Sequence, residues 1–158
     1  MIKKLKTFIN LTENPSGLWL FLKIGFWVYL VSTIIHIVSL PRLLEFITPS
    51  KPSKKKWEKE KLNNLISFWL GRRTLFLRSW CLRRSLVLYR YLRLQGEPAQ
   101  IFFGMRKEQG ELKGHAWLMI DGKPFMDNED LNYQVVYSYP EKKGRGEGEL
   151  EELSRVMD

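Results

Sequence analysis

The 158-residue chain holds one cysteine, two histidines and 44% apolar residues. That suits a single packed domain, excludes an internal disulfide and a cysteine-rich zinc site, and fits a reducing, cytoplasmic compartment. The formal charge of +9 suits nucleic acid, an anionic membrane or an acidic peptide, but neither zinc-finger spacing nor an aromatic RNA-binding signature accompanies it, so no nucleic-acid partner is expected.

The first strong pattern is the apolar run Gly17–Leu40, "GLWLFLKIGFWVYLVSTIIHIVSL". Thr12 or Asn14 suits its N-cap and Pro15 its first turn, while Pro41 marks a break near its end. At about 1.5 Å per residue the run is long enough for a bilayer core of about 30 Å. Lysines flank both sides, so charge assigns no orientation, and no small-residue cleavage site follows to mark a signal peptide. A helix packed on its own protein is the favoured expectation; membrane contact through residues 17–40 is the other outcome its length allows.

"TPSKPSKKKWEKEK" (48–61) is a polar, proline-bearing connector whose lysines suit a solvated face. Leu62, Ile66, Trp69 and Leu70 then recur at helical spacing, and Gly71 stops the helix. A second helix is predicted from Ser79, a natural N-cap, to Leu94, with Leu82, Leu86, Tyr89 and Leu92 on one face and Gly96 at its end. Beyond Pro98 the period changes to that of strands: "AQIFFGMRK", "HAWLMID", "KPFMDNE" and "YQVVYSY", with turn chemistry in "EQGELKG" and Asp121-Gly122. Helices followed by an antiparallel meander predict an α+β fold. Residues 1–61 are expected to form an apolar helix and basic connector, 62–140 the core, and 141–158 a mobile tail.

Cys81 is the residue with the sharpest chemical potential. As a small hydrophobe a lone cysteine most often fills a core. At the second position of a helix, however, unpaired N–H groups and the dipole favour a thiolate, and arginines crowd this helix. His115 changes the balance. It lies on an alternating strand with Trp117 and Met119 on its face, and an imidazole near Cys81 can take the thiol proton and return it to a leaving amine. Asp121 belongs to the turn. A two-residue loop at Asp121-Gly122 sets Asn128 opposite His115; a three-residue loop with a bulge at Gly122 sets Asp127 there. Either side chain can orient an imidazole.

The ordered set "CL", "LVLYRYLRLQG", "PAQIFFGMRK" and "HAWLMIDGKPFMD" resembles the leader peptidases, or B proteins, of lasso-peptide biosynthesis, within the transglutaminase-like cysteine hydrolases. The likeness covers Trp80–Asp130, with a weaker one in the N-terminal segment ending "LPRLLEF". It implies a papain/transglutaminase-like core, a Cys-bearing helix packed on an antiparallel sheet, and a triad of Cys81, His115 and Asp127, which selects the bulged hairpin. It also implies a precursor-peptide substrate. Some members carry a leader-gripping winged-helix domain; an apolar helix stands there in this chain, which implies a separate recognition protein. No cofactor or metal is expected, since no phosphate-binding glycine loop occurs and ATP use would fall to a partner cyclase. The competing expectations are an acyl transferase on the same fold and a catalytically silent, membrane-associated scaffold.

Overall fold

The computed structural model describes residues 15–71, 80–127 and 132–140. Four helices, α1 (Pro15–Ile34), α2 (Leu40–Ile47), α3 (Lys59–Gly71) and α4 (Trp80–Leu94), precede four strands, β1 (Ala99–Glu108), β2 (Glu111–Ile120), β3 (Lys123–Phe125) and β4 (Gln134–Tyr139). This is the α+β arrangement, with its apolar N-terminal helix, that the hydrophobic periods predict. The proposed caps Thr12, Asn14 and Ser79 and the tail 141–158 lie outside the described residues.

Within the apolar run Gly17–Leu40 the helix stops short of the break expected at Pro41. α1 ends at Ile34, a turn follows, and Pro41 opens α2 in the first helical turn, where its missing N–H costs nothing. Leu20, Phe21, Ile24, Val28 and Val31 face inward, whereas Trp19, Leu22, Phe26 and Tyr29 are exposed. Ser16–Ile34 meets the length and composition of a spanning helix, and a third of it is buried inside the protein; core helices meet the same description. Trp69 of α3 packs its ring, tilted by 35°, against Phe21, donates its indole N–H to the Phe21 carbonyl (3.1 Å), and occupies the space a Cβ at Gly25 would need.

α4 is the central helix. Leu86, Val87, Leu88, Tyr89, Tyr91 and Leu92 are all buried, so it is covered by the other helices on one side and by the sheet on the other. Burying each such side chain stabilises by about 1.5–3 kcal/mol. Arg90 donates to the Ile47 carbonyl at the end of α2 (2.7 Å), where a cation complements the helix dipole, and lies over the Trp27 ring. The lysine connector is pinned to the far end of α4 by Ser53 N–H to Leu94 O and Trp57 N–H to the Gln95 side chain; Lys51, Lys54, Lys55 and Lys56 remain exposed.

The strand order is β3-β2-β1-β4, all antiparallel neighbours, so the predicted meander is corrected. β4 joins β1, not β3. The reason is local: β3 stops after three residues at Met126, whose φ of 51° breaks extended geometry, and β4 is added at the opposite edge. β1 and β2 also form a longer hairpin than the turn-rich "EQGELKG" suggests. Only Gln109 and Gly110, both left-handed, make the turn, and Glu108 pairs with Glu111. Ala99, Ile101 and Phe103 of β1, with Ala116 and Leu118 of β2, complete the core beneath α4.

Candidate active site

The β2–β3 hairpin decides the register. Ile120 pairs with Lys123, and Asp121 (φ 51°) and Gly122 (φ 77°) are both left-handed, a two-residue turn. The three-residue bulged loop is therefore corrected. Continued unbroken, this pairing would bring residue 128 opposite His115. The ladder ends at Phe125 instead, and the positive φ at Met126 swings Asp127 toward the imidazole. His115 Nε2 lies 2.8 Å from Asp127 Oδ2, and both side chains are about nine-tenths or more buried (7% and 6% exposed). A carboxylate accepts, so Nε2 donates and proton exchange with a reacting group falls to Nδ1. Asn128 lies outside the described residues, and Asp121 belongs to the turn.

The imidazole is held in an aromatic stack. Trp117 lies nearly parallel to it at 5.9 Å, as the shared strand face requires, and Tyr133 stacks at 5.2 Å. The Arg106 guanidinium lies 4.6 Å from the Tyr133 ring. Gly104 is the Cα partner of His115 on β1, and a Cβ there would come within 2.7 Å of Tyr133 Cβ and 2.9 Å of the Trp117 ring. The crossing from β3 to β4 thus delivers two contacts to His115, Asp127 before it and Tyr133 after it.

Cys81 is the second residue of α4 and half-buried. Two anchors bring its end of the helix to β2 and the Asp127 segment. Ser85, one turn on and on the same face, donates its buried hydroxyl to the Ala116 carbonyl (2.8 Å), next to His115. Arg84 donates Nη2 to the Met126 carbonyl (2.7 Å) and Nε to Asn63 Oδ1 (2.8 Å) on α3. Burial lowers the Arg84 pKa, and the neighbouring Asp127 and Cys81 oppose that shift. Among the described residues no hydrogen bond joins the thiol directly to the imidazole. Such contacts often close only with substrate bound.

Sequence reasoning missed Arg84, Ser85, Gly104 and Tyr133. Gly104 left a signal, an isolated glycine within a strand that marks close approach. Arg84 left none, being one of several arginines on its helix. His36, the other histidine, lies 3.3 Å from Arg83 Nη2, on a buried arginine whose Nε and Nη1 lack partners. Among the described residues no cluster of His, Cys, Asp and Glu could hold a metal.

No curated protein and no solved structure matches the chain. A family model described as the transglutaminase-like superfamily, whose members are generally cysteine hydrolases or transferases, matches residues 30–138, from the end of α1 to β4. With more than two-thirds of its length matched, and with the α+β fold just described, the chain belongs to the transglutaminase-like superfamily.

Proposed function

We propose that the protein is a cytoplasmic cysteine endopeptidase that removes the leader from a ribosomally made lasso-peptide precursor. The observation that carries the catalytic part is the buried 2.8 Å His115–Asp127 hydrogen bond beside the first turn of the lone-cysteine helix. The lasso-peptide assignment is supported by the ordered sequence likeness over Trp80–Asp130.

Cys81 gives its proton to His115 Nδ1, and the sulfur attacks the scissile carbonyl carbon. The oxyanion is met by backbone N–H groups at Cys81, in the first turn of α4. The C–N bond breaks, and His115 protonates the departing amine. Water, deprotonated by His115, then adds to the thioester, releasing the leader carboxylate and restoring the thiol. Asp127 holds the Nε2–H tautomer throughout. No cofactor enters these steps. A separate recognition protein presents the leader, and macrolactam closure, with its ATP, belongs to a partner cyclase.

The test is incubation of precursor and recognition protein with the full chain, followed by mass spectrometry. Products whose masses sum to precursor plus one water support hydrolysis. Transfer of the acyl group to an added amine identifies the acyl transferase, and an intact precursor under all conditions leaves the silent scaffold.

A further inference from the structure

We propose that Arg84 is a positioning residue of this site, fastening the Met126–Asp127 segment so that the carboxylate meets His115. The inference rests on the reading of Cys81, His115 and Asp127 as one site. Asp127 follows a three-residue strand and a residue with φ of 51°, so little of its own ladder holds it. Arg84 supplies what the ladder lacks. Its guanidinium is planar, and two donors with fixed directions reach acceptors on different elements: Nε to Asn63 Oδ1 on α3 and Nη2 to the Met126 carbonyl. The Trp80 ring lies beneath the same guanidinium at 5.5 Å. α3, α4 and the segment after β3 are thereby tied through one side chain, one residue before Asp127.

His115 comes from β2, Asp127 from the segment after β3, Cys81 and Arg84 from α4, while α3 contributes the neutral Asn63. Arg84 also sets a fixed cation beside Asp127 and Cys81. A lysine would keep the charge and most of the apolar stem, but its ammonium cannot hold both acceptors in the directions the fork does. Charge and fork are therefore separable.

Two probes suit a chain with one cysteine and two histidines: the rate of Cys81 alkylation by iodoacetamide across pH, and the ring ¹⁵N and N–H signals of His115. In the unaltered chain His115 should hold the Nε2–H tautomer, and Asp127→Ala should lose it. Arg84→Gln and Arg84→Lys should both lose it as well, and Arg84→Gln should slow alkylation at pH 7 on the order of 10-fold, a small misplacement of a reacting group being enough for that. Should Arg84→Gln fail to fold, Arg84→Lys, which keeps stem and charge, carries the test. Folded Arg84 variants that keep the His115 tautomer overturn the proposal, as does full recovery of both readouts by lysine, which would leave charge alone at work. His115→Ala separates the underlying reading: an alkylation profile unchanged by that substitution refutes thiol activation at the site, whereas the His115 signals still decide what Arg84 positions.

Discussion

Gly104→Ala adds one carbon and no charge, yet the structure gives it a defined cost. A Cβ at this position would lie 2.7 Å from Tyr133 Cβ and 2.9 Å from two atoms of the Trp117 ring. Such approaches force their neighbours to move. Neither is a flexible chain end: one is the root of a side chain, and the other is an indole stacked on both Phe102 (5.8 Å) and His115 (5.9 Å). Overpacking of this kind costs about 1–3 kcal/mol, and for a domain of this length each kcal/mol lowers Tm by roughly 2–4 °C. The displaced side chains are those packed against His115, so its bond to Asp127 should weaken and cleavage should fall more than stability alone explains. Gly71→Ala is the matched control, since a Cβ there meets nothing within 4 Å; it should be neutral, or stabilising by about 0.5 kcal/mol through the unfolded chain. Urea unfolding and precursor cleavage of both variants give the comparison. A Gly104→Ala protein as stable and as active as Gly71→Ala would refute the packing account of the imidazole.

Cys81→Ala should abolish cleavage, and His115→Ala should be nearly as severe, because the thiol loses both its base and the acid for the leaving amine; Asp127→Ala should retain weak activity, and the losses should not add. These are read as precursor cleavage by folded variants. Asp121→Ala should cost about 1 kcal/mol or less, since alanine lacks the short polar side chain that lets an aspartate adopt the left-handed φ of 51°, while cleavage is retained; lost cleavage there with Asp127→Ala active would overturn the site assignment. Burial pushes the Tyr91 phenol pKa up, whereas an unfolded tyrosine ionises near pH ~10. Its contribution is therefore complete below about pH 10 and is lost as pH rises above it, because only the unfolded chain then releases the proton. Tyr91→Phe should flatten the alkaline fall in urea midpoint and leave the neutral midpoint nearly unchanged.

Much of the molecule is local and so was legible in the chain itself. The 3.6-residue period marks α3 and α4, and Gly96, with φ of 81°, ends the latter as its lack of a Cβ allows. Alternation puts His115 and Trp117 on one strand face, where they stack. Asp121-Gly122 announces a turn, whereas a thiol in the first turn of an amphipathic helix suits a core as well as chemistry. Tertiary structure alone decided the rest. Strand order depends on backbone bonds between distant segments, which carry no residue-specific mark, so β4 beside β1 left no trace in the pattern. The hairpin rules offered Asn128 or Asp127 opposite His115, and the outcome turned on a left-handed Met126, a conformation that a methionine does not signal and that long-range contacts such as the Arg84 fork must hold. Periodicity records which side of an element is buried; it does not record what lies across the gap, because that partner is chosen by packing among residues tens of positions apart.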